Sequence, residues 1–360
     1  MFLPIQASPY LRLFKRLFLG QGSLQAISYK QEIIFPEEKA TLRPPLFLSG
    51  QLDRVEAPKL TDSRFVTTKE SEIAAMTSTM IVHPPTIAYH VKDAVLFNGA
   101  IYVGNFKHPI AEKSLFDSNT HRPYRIKACA LASTYLGTKY FGHWLADDCT
   151  KYMLASEFGN PLCLRMPAST FGHRQEYQTY FAQDWTPTDR ARIDHLVVFQ
   201  DFSQNSLKRK RYKFLRDRIK AHFPQSGHDT YVYLRRGKTG VVRIIQNEDE
   251  IIDALVKRGF LVVDITSDSL DFIIESLLNA KIVVSLEGSH LAHWIYTSPE
   301  PGGLLVLQPP DRFLALQRAY AECLGIRYGF VVGENTEAGY YFSTSDILRT
   351  VDLLLENIGG

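Results

Sequence analysis

The sequence predicts an α/β protein, and the segment from Tyr231 to Leu307 predicts it most clearly. Strand patterns and amphipathic helix patterns alternate along this segment, which is typical of a parallel sheet covered by helices. The chain has 360 residues, of which 45% are hydrophobic, so it can build two domains with cores of their own. We therefore expect an α/β fold with two domains.

The second half of the chain supplies its elements in a regular order. Tyr231 to Leu234 is a buried-strand pattern, and Asn247 is predicted to cap the next helix, with Glu250 three residues on. Gly259 is predicted to end that helix. The elements that follow are predicted as a strand at 260–265, a helix at 267–279, a strand at 282–285, a helix from 290 to 295, a strand at 304–307, a helix at 313–324, a strand at 328–332 and a terminal helix capped by Ser343 with Asp346.

The first half of the chain is less regular. Asn98-Gly99 separates two strand patterns, at 94–97 and 100–103, and therefore predicts a hairpin. The polar, proline-interrupted segment 35–85 predicts irregular chain and short edge strands. The remaining predicted elements are a strand at 129–133, a helix at 141–158 and a strand at 195–199.

A Gly-Ser turn follows the predicted strand at 282–285 and precedes a helix. Gly288 and Ser289 offer backbone N–H groups there, and the positive end of a helix dipole favours anions. Arg235 and Arg236 leave the neighbouring strand, where a guanidinium group can bind phosphate oxygens in pairs. Because side chains alternate along a strand, at most one of these arginines reaches a ligand. Open α/β sheets bind ligands at such strand ends, so we expect a phosphate-bearing ligand.

Three motifs resemble glycosyltransferase family 61, in its bacterial capsular-polysaccharide-type branch. They are Gly142-His143-Trp144-Leu145-Ala146-Asp147, Arg243-Ile-Ile-Gln-Asn247-Glu248 and Val283-Val284-Ser285-Leu286-Glu287-Gly288-Ser289-His290-Leu291-Ala292-His293. The resemblance covers roughly residues 95 to 310. This chain departs from the pattern in the third motif, where many members carry a His-Gly-Ala-Gly run ending in Asn.

The resemblance implies a GT-B fold, in which two Rossmann-like domains face a cleft. Residues 1–205 would form the acceptor-side domain. Residues 206–360 would form the nucleotide-sugar-binding domain, with a terminal helix that crosses back. The family also implies an inverting transferase without an obligatory metal, which moves a sugar from a nucleotide-sugar donor, UDP-linked in our expectation, to a saccharide or glycoconjugate hydroxyl in cell-surface polysaccharide synthesis.

The candidate donor-binding residues come from the two motifs in the second half. Arg243 either binds the donor diphosphate or forms a structural ion pair with Glu248. Glu287 either accepts ribose hydroxyls or compensates a helix dipole. His290 either donates to phosphate or lies on a helix surface. The full set of candidates is Arg235, Arg236, Arg243, Asn247, Glu287, Gly288, Ser289 and His290.

His143 and Asp147 are the candidate catalytic pair. Four residues apart on a helix, they share one face, so the carboxylate can orient the ring and raise its basicity. Inverting sugar transfer needs a base that takes the acceptor proton, and the resemblance favours His143 as that base. The alternative is a histidine packed at a helix start beside a dipole-compensating acid. Asp148 is a weaker candidate, and Trp144 and Leu145 are expected in the core.

Composition and charge exclude other classes of protein. The net charge of +3 is too small to demand a nucleic-acid partner, and we interpret the basic run at 208–220 as a solvated interdomain helix.

The four cysteines lack the spacing of a zinc site, and no convincing Asp-x-Asp motif is present, so we expect no metal and a cytoplasmic location. Residues 1–20 lack a signal-peptide layout; they either contact the inner membrane peripherally, beside a lipid-linked acceptor, or dock on their own domain.

Two other functions are compatible with the sequence. A nucleotide-sugar epimerase would share the two α/β domains and the diphosphate site but would need no acceptor. A catalytically silent sugar-nucleotide-binding protein would keep Arg243 and Gly288 without turnover. In each case the nucleotide sugar is the expected ligand, and no other cofactor is expected.

Overall fold

The computed structural model of the protein describes residues 23–59, 67–104, 106–111, 124–165, 172–223, 229–237, 243–297 and 299–358. The strands are β1 Lys30–Phe35, β2 Glu38–Thr41, β3 Met80–His83, β4 Thr86–Phe97, β5 Ala100–Val103, β6 Phe106–Pro109, β7 Tyr124–Leu131, β8 Pro161–Leu164, β9 Pro187–Thr188, β10 Ala191–Gln200, β11 Thr230–Arg235, β12 Phe260–Asp264, β13 Ala280–Leu286, β14 Gly303–Gln308, β15 Arg327–Val332, β16 Glu334–Thr336 and β17 Gly339–Tyr341. The predicted membrane contact of residues 1–20 lies outside the described residues.

The helices alternate with these strands through most of the chain. They are α1 Leu24–Ile27, α2 Lys69–Thr77, α3 Tyr135–Lys139, α4 Phe141–His143, α5 Cys149–Phe158, α6 Arg174–Tyr180, α7 Ser206–Lys220, α8 Glu248–Lys257, α9 Leu270–Leu278, α10 Leu316–Leu324 and α11 Thr344–Asn357. A π-helical turn at Trp144–Asp148 joins α4 to α5, and Ser289–Tyr296 is a 3₁₀ helix. No helix in the described part of the chain is long and apolar enough to cross a bilayer.

The chain divides into two compact units. Unit 1 comprises Met1–Glu38 and His83–Ser203, and unit 2 comprises Lys39–Val82 and Gln204–Gly360. The proline-interrupted segment therefore packs with the second half of the chain. The segment also contains α2, which we did not predict. Thr68 caps this helix by accepting from the Ser71 N–H, while the Ser71 hydroxyl accepts from the Thr68 N–H.

Unit 1 is built on a mixed eight-stranded sheet. Its strand order is β6-β5-β4-β10-β7-β8-β9, with β1 paired to β4. The predicted hairpin joins β4 to β5, and Asn98 and Gly99 have φ angles of 47° and 66°, which a tight hairpin turn of this kind requires. The strands β10, β7, β8 and β9 run parallel, whereas β4 is antiparallel to β1, β5 and β10.

Unit 2 is built on a parallel five-stranded sheet of order β12-β11-β13-β14-β15. The chain moves outward from β11 to β12 and then returns to the other side of β11 with β13, so the direction of winding reverses between β11 and β13. The predicted strands and helices of this region are present in the predicted order, and the α/β prediction is confirmed. On one face of the sheet, α8 and α11 bury the side chains of Ile251, Leu255, Ile347, Val351 and Leu354.

Arg318 holds the segment 39–82 within unit 2. Its side chain lies in α10, and the residue is only 2% exposed. The guanidinium group donates to three backbone carbonyls of the segment, those of Ala75 at 2.7 Å, Arg43 at 3.0 Å and Ser78 at 2.6 Å. A buried arginine bound to three carbonyls fixes the segment against α10 by charge-assisted hydrogen bonds.

Two local predictions in unit 2 were wrong. Asn247 precedes α8 but makes no capping bond with its side chain, because its amide group binds the backbone of Phe342 instead, at 2.8 Å and 3.2 Å. The basic helix α7, which we predicted to be a solvated interdomain helix, is solvated along only one face. Lys208, Arg211 and Arg216 on this helix are all buried, alongside an apolar stripe that packs into the unit.

Candidate functional site

The carboxyl end of the unit 2 sheet brings several predicted site residues together. Arg236 and Arg243 follow β11, and Glu287 and Gly288 follow β13. These are the two strands between which the winding reverses. In open α/β sheets such a reversal leaves a crevice between two diverging loops, and ligands bind there.

Glu287 is the centre of a buried cluster of charges at this position. Its Oε2 accepts from Arg243 Nη1 at 2.7 Å and from Arg312 Nε at 3.1 Å. Its backbone carbonyl accepts from Arg236 Nη1 at 3.2 Å and also from Arg243 Nη1. Among these groups three guanidinium charges face one carboxylate, so the cluster carries excess positive charge and favours an anion.

Burial shapes the electrostatics of the cluster. Removal from water, together with the charges of Arg243 and Arg312, lowers the pKa of Arg236 to about 10, while Glu287 opposes the shift. Burial likewise lowers the pKa of Arg243, while Glu287 opposes that shift. Both arginines remain protonated at neutral pH. A bound anion would relieve their mutual repulsion, because opposite charges attract strongly where water is excluded.

Gly288 leaves room for the guanidinium group of Arg236 beside it. A Cβ atom at this position would lie 2.0 Å from Arg236 Nη1 and 2.9 Å from His290 Nδ1. Any side chain would therefore displace the guanidinium group. Ser289 is half-buried and begins the 3₁₀ helix that replaces the predicted α-helix.

The contacts of His290 define its tautomer. Ser285 Oγ donates its proton to the Leu234 carbonyl at 2.6 Å, so it accepts from His290 Nε2 at 2.8 Å. His290 therefore carries its proton on Nε2, and Nδ1 presents a lone pair. Burial, together with the charges of Arg236, His293 and Arg243, holds the pKa of His290 well below its ordinary value. A neutral ring with Nδ1 as acceptor cannot donate to phosphate through that nitrogen. His290 is also buried and not on a helix surface.

Two predicted donor-binding residues have other partners. Arg235 forms an ion pair with Glu248 at 3.2 Å. Glu248 also accepts a hydrogen bond from the Tyr233 hydroxyl at 3.0 Å. Glu248 is thus the partner of Arg235, and the structural ion pair that we considered for Arg243 is made with Glu287 instead. Asn247 binds the backbone of Phe342 and takes no part in the arginine cluster described above.

Arg312 is a member of the cluster that the sequence did not indicate. It lies in a 3₁₀ turn, Pro310–Arg312, directly after β14. The neighbouring residue Asp311 accepts from the Tyr340 hydroxyl at 3.2 Å. Only its position could have indicated Arg312: the polar pair Asp311-Arg312 follows a buried strand at the same edge of the sheet as Gly288.

The candidate catalytic pair lies in unit 1. His143 ends α4, and Asp147 lies in the π-helical turn that follows. His143 Nδ1 and Asp147 Oδ2 are 2.8 Å apart, so the predicted contact is present. The two side chains are 14% and 21% exposed, so solvent reaches both. Trp144 and Leu145 are fully buried, as predicted.

The predicted continuous helix is interrupted by the π-helical turn, whose last residue, Asp148, is anchored by Thr134. Asp148 Oδ1 accepts from the Thr134 hydroxyl at 2.6 Å and from the Thr134 N–H at 3.1 Å. A Cβ on Gly137 would lie 2.2 Å from the Asp148 carboxyl atoms, so only glycine admits this approach. Burial raises the pKa of Asp148 to about 8, although the Thr134 bonds oppose the shift. In this turn the Asp148 side chain is buried against Thr134, whereas the Asp147 side chain contacts His143.

Metal-ligating and thiol chemistry have little support in the described residues. In that part of the chain, no three His, Cys, Asp or Glu side chains are grouped so that they could hold a metal ion. Cys129, Cys149, Cys163 and Cys323 are buried and form no disulfide bond. Burial raises the pKa of Cys129 to about 12, so that thiol is unreactive at neutral pH.

Comparison with known proteins gives one family match. Among solved structures, a metal-soaked flavodiiron core from Synechocystis is matched at 12% identity and with a TM-score of 0.24, which is too low to indicate a shared fold. The alignment covers 46% of this chain and 43% of that one, so the chain spans less than half of that structure's length. No curated protein matches the sequence. Residues 141–304, a little under half of the chain, match the family model described as Glycosyltransferase 61, and this matched segment contains His143, Asp147, Arg243 and the Glu287-Gly288 turn.

Proposed function

We propose that the chain is an inverting glycosyltransferase. It would transfer a sugar from a nucleotide-sugar donor, UDP-linked in our expectation, to a hydroxyl of a saccharide or glycoconjugate in cell-surface polysaccharide synthesis. The observation that carries this proposal is the buried arginine cluster around Glu287, at the winding reversal of a parallel sheet and largely inside the segment that matches family 61.

The donor diphosphate would bind beside Arg236 and Arg243. Their guanidinium groups are fixed by hydrogen bonds to Glu287, so little side-chain entropy is lost when the anion binds. When the bond between the anomeric carbon and the phosphate oxygen breaks, negative charge develops on the leaving diphosphate. Guanidinium groups held in a site with little water stabilise that charge without reorganising. Gly288 leaves room for Arg236 to remain in place.

The acceptor hydroxyl would be activated by His143. As the acceptor oxygen attacks the anomeric carbon, its proton passes to Nε2 of the ring, because Nδ1 is engaged by Asp147. Asp147 would hold the tautomer and stabilise the imidazolium that forms. One displacement of this kind inverts the configuration at the anomeric carbon. The products are the glycosylated acceptor and the nucleoside diphosphate.

We also propose a GT-B arrangement of the two units and membership of the capsular-polysaccharide-type branch. The proposed location is cytoplasmic and peripheral to the inner membrane. Metal independence is also proposed. It is supported by the residues around the donor site, where arginines rather than paired carboxylates supply the charge that a diphosphate needs.

A transfer assay tests the proposal. Wild-type protein is incubated with a panel of nucleotide sugars and oligosaccharide acceptors, and product formation is followed by mass spectrometry with and without EDTA. We expect one donor to yield glycosylated acceptor in the presence of EDTA, with an inverted anomeric configuration by NMR. Donor binding without transfer to any acceptor would favour the silent binding protein, and a product epimerised in the nucleotide sugar itself would favour the epimerase.

A further inference from the structure

A cavity of about 340 Å³ lies beside the arginine cluster in unit 2. Its walls come from the chain after β11, the turn after β14 and the hairpin β16–β17 that follows β15. All three follow the carboxyl ends of parallel strands, the edge where open α/β sheets bind ligands. The lining residues that matter here are Arg243, Ile244, Asp311, Asn335, Thr336 and Tyr340.

The cavity is polar but close to neutral. Asp311 accepts from the Tyr340 hydroxyl at 3.2 Å and pairs with Lys59 Nζ at 3.2 Å, so its negative charge is balanced. The Tyr340 ring and Ile244 supply apolar surface, while Asn335 and Thr336 supply an amide and a hydroxyl group. Such a lining suits an uncharged ligand with a flat ring and several hydroxyl groups, and the volume is that of a small-ligand site.

Arg243 connects this cavity to the charge cluster. Arg243 lines the cavity, and its guanidinium group is bound to Glu287. A nucleoside diphosphate has the same order of parts, because an uncharged base and ribose are joined directly to a diphosphate. A ligand whose diphosphate contacts Arg243 would therefore place its ribose and base beside Asp311 and Tyr340.

We propose that this cavity binds the nucleoside half of the donor. Asp311 accepts hydrogen bonds from the ribose hydroxyls, and the Tyr340 ring packs against the ribose or base. The hairpin β16–β17 then becomes the element that selects the base, through Asn335 and Thr336. This inference rests on the proposed function, since it assumes that a nucleotide binds at the arginine cluster.

Filling the cavity tests the inference. Ala338 lines the cavity and is exposed, so Ala338→Trp fills it without touching the core; Glu337→Trp, one residue away in the same turn and outside the lining, is the matched control. Calorimetry compares the affinities for UDP, CDP, ADP, GDP and inorganic pyrophosphate. We expect Ala338→Trp to weaken the best nucleoside diphosphate by about tenfold or more, with pyrophosphate affinity unchanged, because it removes only the nucleoside contacts. Glu337→Trp should leave both affinities unchanged.

The Asp311 contact has a separate test. Wild-type protein should bind the ribonucleotide about tenfold more tightly than its 2′,3′-dideoxy analogue, and Asp311→Asn should lose most of that preference. Unchanged nucleoside diphosphate affinity in Ala338→Trp would overturn the cavity assignment while leaving the proposed function standing. If the wild type binds pyrophosphate but none of the nucleotides, the cavity assignment and the nucleotide-sugar donor both fail. A saccharide acceptor displaced by Ala338→Trp with nucleotide affinity intact would reassign the cavity to the acceptor.

Discussion

Arg243 and Glu287 form an ion pair at 2.7 Å in which each side chain is only 5% exposed. Arg243 is therefore not a solvent-exposed cation that gains its first anionic partner when a ligand binds. It is one half of a buried pair, and its position is fixed before any ligand binds. The same pairing makes Glu287 dependent on its arginines, because a carboxylate that loses its partners in the protein interior is strongly destabilising.

Arg243→Ala should therefore affect both folding and donor binding. We expect the free energy of unfolding to fall by about 3 kcal/mol, since Glu287 keeps Arg312 but loses its closest partner. Adding Glu287→Ala should restore part of that loss, because the unpaired carboxylate is removed. Urea unfolding of the two single variants and the double variant measures this coupling. Additive losses in the double variant would mean that the pair is not coupled.

Gly288→Ala should weaken nucleotide binding by displacing Arg236. The added Cβ would lie 2.0 Å from Nη1 of that arginine, so the guanidinium group must leave its place. We expect the affinity for the donor to fall by about tenfold or more, as when a charge-assisted contact is lost. Gly172→Ala is the control, because a Cβ there has nothing within 4 Å. Equal donor affinity in calorimetry for Gly288→Ala and wild type would contradict the role of Arg236.

Asp148 should make the stability of the protein depend on pH. Its pKa is raised to about 8 in the folded state, so the folded protein holds this proton more tightly than the unfolded chain does. Its stabilising effect is present at low pH and is lost as the pH rises from about 4 through about 8. Asp148→Asn should remove this decline, which we expect to be a few kcal/mol. Urea unfolding between pH 4 and pH 9 measures it, with Glu157→Gln on α5 as an exposed control. An identical pH profile in wild type and Asp148→Asn would show that the carboxyl titrates normally.

His143→Ala should separate chemistry from binding. If His143 takes the acceptor proton, turnover should fall by about 10²- to 10⁴-fold, while donor affinity stays nearly unchanged. Asp147→Asn should cost less, because it loosens the ring without removing the base. Turnover is measured by steady-state kinetics, and donor affinity is measured by calorimetry. Full turnover in His143→Ala would remove the histidine from the mechanism.

Local patterns predicted much of the fold and part of the site. The hairpin at Asn98-Gly99 depends on two adjacent residues, and the cap of α11 depends on Ser343 and its nearest N–H groups, so both can be recognised from short segments. The contact between His143 and Asp147 depends only on helical spacing, which the π-helical turn preserves well enough for a hydrogen bond.

The residues that could not be predicted depend on contacts between distant parts of the chain. Arg312 approaches Glu287 only because β13 and β14 are neighbours in the sheet. Segment 39–82 joins unit 2 through Arg318, more than 200 residues away along the chain. Asn247 had a clear capping pattern, but the Phe342 backbone provides its amide with better partners. Tertiary contacts override local preference in each case.

Thermal stabilisation by nucleotide sugars tests the central claim most directly. A ligand that binds only the folded protein raises its stability with concentration, by about 2.7 kcal/mol at one hundred times Kd. We expect at least one nucleotide sugar of a broad panel to raise the Tm of the wild type in this concentration-dependent way, and the shift to be smaller in Gly288→Ala at the same ligand concentration. A panel in which no nucleotide sugar shifts the Tm of the wild type at any concentration would contradict the assignment of the arginine cluster as a nucleotide-sugar site.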